Sequence, residues 1–256
     1  MKTFLKTKLI TARVALASTI LLSVTAGVSY AAANTAQANQ AVAKTVAFQQ
    51  ERVSQDDPYV MVKEAASKTF ARIKSQQAQI KQDPEVLRTI MEEELMPYID
   101  YSFSSYKVLG KYAREVAQND RKGLLEFVSV FREYLITTYA VAMGYYDDQL
   151  VEFDPATDYG DRTDVTVRAV IKDDTSPDIK VAFKVRKDKR SGKWEAYDMI
   201  AEGISLLSSK QTEFESILRR DGIHKVIELM RESIRKPIVL KGSEPKTEET
   251  TTNEKA

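Results

Sequence analysis

Between Leu124 and Ile200 the spacing of apolar residues changes from steps of three and four to steps of two. No other feature narrows the fold class as much. On the helical side, Val62, Ala66, Phe70, Ile73 and Ile80 fall on one face of a helix. Asp83-Pro84-Glu85 supplies an N-cap, a proline at the first helical position and an acid in the first turn. A second helix is therefore expected from Val86 through Leu95, stopped by Pro97. A short helix is expected over 105–117. Asn119-Asp120 then caps a long one, with Leu124, Phe127, Val128, Phe131, Leu135 and Tyr139 on its inner face.

Beyond the switch the period is two. A short strand is expected over Gln149 to Phe153. Val165, Val167, Ala169 and Ile171 then alternate with their neighbours, as do Ile179, Val181, Phe183 and Val185. Ser176-Pro177-Asp178 and Ser191-Gly192 are the turns, and Trp194 to Ile200 is the last strand. A helix carrying Phe214, Ile217 and Leu218 is expected to end at Asp221-Gly222, before a final helix from Ile223 to Arg235. Helices, an antiparallel sheet and helices again make an α+β domain. A strongly twisted sheet capped by helices can close around a cavity.

The ends carry a different signal. Residues 1–13 hold Lys2, Lys6, Lys8 and Arg13 and no acid, Val14 to Val28 is apolar or small, and Ala31-Ala32-Ala33 follows. This is the layout of a signal peptide, expected to be cut after Ala33. The apolar run is shorter than the roughly 20 residues that span a bilayer, although a retained anchor is the rival reading. Without residues 1–33 the chain has 34 basic and 37 acidic groups, a net charge of −3, and no basic block that would favour nucleic acid. Residues 34–57 read as a polar, flexible N-terminal tail and 241–256 as a disordered C-terminal one, leaving a folded domain over 58–240.

Signs of catalysis are sparse. The chain has no Cys and a single His, His224, so zinc, iron–sulfur and haem sites find few ligands. There is no glycine-rich phosphate loop, no G-x-S-x-G elbow and no H-E-x-x-H. The acid pairs Asp56-Asp57 and Asp147-Asp148 flank helices, where capping explains them. What does stand out is bulky apolar side chains at the inward positions. Periodicity alone favours a solid core, and sequence pattern does not distinguish that from a lined hollow.

Several words of sequence occur in a fixed order: Leu95-Met96-Pro97 with Asp100, Val108-Leu109-Gly110, Phe131 and Leu135 with Tyr139, then Trp194, Tyr197-Asp198, Glu202-Gly203, Ser205, Phe214 and Gly222. Together they resemble the MlaC family, the periplasmic phospholipid-binding proteins also called the toluene-tolerance family. The resemblance covers about residues 58 to 236. The Gln-Arg-x-x-Phe arrangement frequent in the family is only partly reproduced, by Arg121 and Phe127. The resemblance implies a nuclear-transport-factor-2-like cone with a hydrophobic pocket. It further implies a periplasmic carrier that shuttles phospholipid between an outer-membrane lipoprotein–porin complex and an inner-membrane ABC transporter complex with a substrate-binding-domain ring, so maintaining outer-membrane lipid asymmetry. Phospholipid would be cargo, with no cofactor and no catalytic residue.

Such a carrier is physically necessary. About 30 methylenes at ~0.8 kcal/mol each make free diffusion of a two-tailed lipid through water prohibitive, on the order of 20 kcal/mol. Periodicity and the implied fold together nominate Val108, Leu109, Tyr112, Phe127, Phe131, Leu135, Tyr139, Val167, Val181, Phe183, Trp194, Tyr197 and Ile200 as pocket residues. Gly203, Ile204 and Leu206-Leu207 are expected at its mouth. Two other readings stand beside this one. The first is a small-molecule isomerase on the same cone, using Tyr197 and Asp198. Its difficulty is that neighbouring strand residues are expected to face opposite ways. The second is a chaperone-like protein holding unfolded chains in an apolar groove.

Overall fold

The computed structural model describes residues 52–146, 148–172 and 177–240. The expected signal peptide, the C-terminal tail, residues 34–51 of the N-terminal tail, Asp147 and Ser176 lie outside the described residues.

Helix α1 (Pro58–Ser75) starts where Asp57 accepts from the N–H groups of Tyr59 and Val60, both at 2.9 Å. It stops at Gln76, and α2 (Gln77–Gln82) follows at once, so the single helix expected over 62–80 is two. Neither Gly nor Pro marks the break. Helix α3 (Val86–Ile90) runs into a π-helical turn (Met91–Leu95) and a 3-10 turn (Met96–Tyr98) in place of the expected α-helix to Leu95. Helices α4 (Tyr101–Leu109) and α5 (Tyr112–Asn119) replace the one helix expected over 105–117. Gly110, at φ 53 and ψ −125, separates them in a conformation that only glycine adopts without strain. The long helix α6 (Arg121–Met143) begins as expected, with Asp120 accepting from the Gly123 N–H at 2.8 Å.

Five antiparallel strands follow in the order β1 (Leu150–Phe153), β2 (Asp164–Lys172), β3 (Ile179–Lys187), β4 (Trp194–Ala201) and β5 (Ile204–Ser205). Helix α7 (Leu206–Ile234) closes the domain. Gly222, at φ 78 and ψ −177, is non-helical within that span, so two helical segments meet at a kink where the stop was expected, the second starting at Ile223.

The backbone groups of β4 that β3 leaves unused are taken up piece by piece. The Trp194 N–H donates to the Gln55 carbonyl at 2.9 Å, and Gln55 Nε2 donates back to the Trp194 carbonyl at 3.0 Å. Further along, the Asp100 N–H donates to the Ala196 carbonyl at 2.8 Å and the Ser104 hydroxyl to the Tyr197 carbonyl at 2.7 Å. Finally, Ile200 and Ala201 pair with β5. Residues 52–57 thus belong to the folded body, unlike the expected tail. Val53 is buried, and its N–H donates to the Tyr98 hydroxyl at 2.9 Å.

Apolar packing forms three clusters. The first joins α4, α6 and α7 around Phe127, Phe131 and Val226. The second joins the start of α1 to one sheet face around Met61, Val167, Val185 and Trp194. The third joins the end of α1, α2, α3 and the second half of α6 around Leu87, Ile90 and Ile136.

Candidate functional site

The three central strands pair in rows that share one face. Val165, Val185 and Ala196 make one row, then Val167, Phe183 and Met199, then Ala169, Val181 and Ala201, and last Ile171 and Ile179. Val165, Val167 and Val185 belong to the second cluster, and Phe183 packs on its margin. One row further the packing changes. Ala169 and Val181 are only 2 % and 6 % exposed, yet among the described residues they join none of the three clusters. Met199, Ala201 and Ile171 join none either. The sheet thus presents an apolar wall that runs from the second cluster past its last member.

From Val167 to Ile171 this wall is four residues of strand, about 14 Å. Along α1, the distance from Ala65, which lies in the second cluster, to Lys74 is nine residues of helix, again about 14 Å. Both lines end at the same edge of the molecule. Lys74 pairs there with Asp148 at 2.7 Å, two residues before β1. Leu150 and Ile204, each 61 % exposed, and the exposed Ile179 also stand at that end of the sheet. Glu202 and Gly203, at φ 48 and 80, form the tight turn between β4 and β5 that puts Ile204 on the rim.

The long helix α6 packs mainly on other helices rather than on the strands. Its Leu135, Tyr139 and Met143 lie on the third cluster while remaining partly exposed. Phe70 of α1 does the same and stacks on Tyr146 at 4.7 Å. Burial, together with the field of the Asp198 carboxylate, pushes the Tyr139 phenol up to about 12. Tyr139 is therefore neutral at any physiological pH and sits within electrostatic reach of β4.

The residues expected to line a pocket are distributed over several regions. Val167, Val181 and Phe183 share the wall face, and Trp194 is buried in the second cluster. Tyr139 lies on the third cluster, and Leu135 touches both the first and the third. Val108, Leu109, Phe127 and Phe131 are buried inside the first cluster, with Tyr112 packed against it. Val108, Leu109 and Tyr112 also border a crevice of about 80 Å³ with Lys111, Gln211 and Glu215. That volume falls well short of the several hundred Å³ of an ordinary ligand pocket. Ile200 pairs with Ala182 and so projects from the face opposite Val181 and Phe183. Sequence reasoning left out Phe70, Ala169, Met199 and Ala201. Ala169 was visible in the alternation, but it is too small to draw notice as a lining residue.

Tyr197 and Asp198 depart from the expected alternation. The register shifts between Lys184 and Val185, and Tyr197 is the extra residue of the resulting bulge on β4. Its hydroxyl donates to Asp164 at 2.9 Å, and its ring meets Phe103 edge-on at 5.1 Å. Asp198 pairs with Lys184 and accepts from the Ser205 hydroxyl at 2.7 Å and the Leu207 N–H at 3.1 Å, tying down the start of α7. Both side chains engage groups away from the wall face, and each has a structural partner. His224 is exposed, and its Nε2 lies 2.8 Å from Asp120, the cap of α6. No described helix is long and apolar enough to cross a membrane.

The family described as MlaC protein matches residues 63–232. The intermembrane phospholipid transport system binding protein MlaC of Haemophilus influenzae is 33 % identical over 188 residues, spanning 73 % of this chain and 86 % of that one. The solved structure of a phospholipid-binding protein from Ralstonia solanacearum, in complex with a phospholipid, superposes with a TM-score of 0.61. It is 21 % identical and covers 70 % of this chain and 97 % of its own, so the likeness is one of fold.

Proposed function

The chain belongs to the MlaC family, and from that premise we propose that it is a carrier that holds phospholipid tails against the apolar wall of its sheet. One observation carries the reading. An apolar face, buried at Ala169 and Val181 and partly buried at Met199 and Ala201, continues past the second cluster toward an edge rimmed by exposed Leu150, Ile179 and Ile204. Its length of about 14 Å matches one leaflet, half of a hydrocarbon core about 30 Å thick. A tail laid along it exchanges one dry surrounding for another.

The head group stays at the rim, among Lys74, Asp148, Lys172 and Asp178, which are already paired with one another. These four charges neutralise one another in pairs, so in this reading carriage follows the tails. In this reading the sheet and helices form a nuclear-transport-factor-2-like cone. The protein works in the periplasm between an outer-membrane lipoprotein–porin complex and an inner-membrane ABC transporter complex. Phospholipid is cargo and no cofactor takes part.

The test is organic extraction of the full chain purified from its own host, followed by lipid mass spectrometry. Stoichiometric phospholipid with mixed head groups supports the carrier. Protein that is folded and monodisperse but contains no phospholipid, and takes none up from vesicles, overturns it.

A further inference from the structure

We infer that Phe183 is the floor of the wall and sets the length of acyl chain the carrier accepts. The inference rests on the carrier reading, since a ruler needs a chain to measure. It comes from where the second cluster ends along the sheet. Val167, in the same row, is buried in the second cluster, while Phe183 lies on that cluster's margin and is only partly buried. In the next row, Ala169, Val181 and Ala201 have small or short side chains. A chain running inward from the rim therefore passes Ile171 and Ile179, then a row of small or short side chains, and meets an aromatic ring where the cluster begins. Met199, opposite Phe183 on β4, flanks the ring with an unbranched side chain that adapts to what it touches.

The distance to the floor is the same along both bounding elements, about 14 Å by strand and by helix. Both lines start in the second cluster and end at the rim marked by Lys74 and Asp148. Tails no longer than one leaflet fit straight, and longer ones must bend or leave methylenes at the rim. Each methylene moved from water to the dry wall changes binding about fourfold. A shift of the floor is therefore legible in the chain lengths of bound lipid.

The experiment uses the full-length protein loaded from mixed vesicles of saturated phosphatidylcholines of graded tail length, with bound lipid read by mass spectrometry. Phe183→Ala is expected to move the preferred length upward, with about a fourfold gain for each methylene newly admitted. Val181→Phe, which raises the floor by one row, is expected to move it downward. Leu125→Ala, on the exposed outer side of α6, is expected to leave the distribution unchanged. Should Phe183→Ala not fold, Phe183→Leu keeps the apolar packing and carries the same upward expectation in smaller measure. Identical length distributions in the wild type and all folded floor variants, with lipid still bound, overturn the ruler and leave the carrier standing. A wild type that binds no lipid at all overturns the carrier instead.

Discussion

Arg72 Nη1 lies 2.7 Å from Glu94 Oε1, with each side chain only 8 % exposed. The π-helical turn brings the adjacent Glu93 to the same guanidinium, at 2.5 Å, so two consecutive acids share one base. A buried ion whose partner is removed is left with its full desolvation penalty. Arg72→Met should therefore destabilise the fold by about 3–5 kcal/mol in urea unfolding. Glu94→Gln should cost less, since Glu93 still neutralises Arg72. Equal costs for the two would show that Glu93 does not compensate.

Gly110 offers a test of backbone rather than charge. At φ 53 and ψ −125 it occupies a region closed to other residues, and a Cβ there would run into the side chain of Gln211 on α7. Gly110→Ala should cost about 1–3 kcal/mol, detected as a lower urea midpoint at unchanged slope. Gly160→Ala, at φ 48 with open space around it, should cost only about 1 kcal/mol. Similar losses at both positions would mean that contact with Gln211 adds nothing.

Glu85 links stability to pH. Burial alone would raise its carboxyl, but the Ile238 N–H at 2.9 Å and the Arg88 guanidinium outweigh that and hold it below its ordinary 4.5. Its contribution is then present above pH 4.5 and is lost as pH falls through the lower folded value. The stability gap between wild type and Glu85→Gln should be open at neutral pH and close progressively below pH 4.5. A gap that does not change down to acid denaturation would place the effect outside this carboxylate.

Tyr98 supplies the hydroxyl that receives the Val53 N–H. Tyr98→Phe leaves that buried donor without an acceptor, which should cost about 1–3 kcal/mol. Hydrogen exchange provides the local readout. The Val53 amide should lose its protection while amides in the middle of β3 keep theirs.

Much of the fold could be read in advance because its determinants are local. Asp57 and Asp120 sit directly before the helices they cap, and the alternation through Val165–Ile171 and Ile179–Val185 runs true in the structure. The misses have physical reasons. The break at Gly110 follows from a backbone angle and from Gln211, about a hundred residues away. The bulge at Tyr197 reverses the phase of β4, so that the wall takes Ala196 before it and Met199 and Ala201 after it, while Ile200 faces away. No pattern within 194–201 announces that reversal. Nor can periodicity tell Phe127, sealed in a cluster, from Val181, buried beyond the reach of one, since both are simply apolar and inward.

The piecewise covering of β4 leaves the two margins of the sheet unequal. Gln55, Asp100, Ser104 and β5 between them satisfy one margin, whereas among the described residues β1 has β2 as its sole neighbour and is only four residues long. A concentrated protein is exposed to aggregation wherever an unpaired strand can recruit another chain. Among the described strands the two that end the sheet are short, β1 with four residues and β5 with two, and the exposed Leu150 and the charged Glu152 share one face of β1.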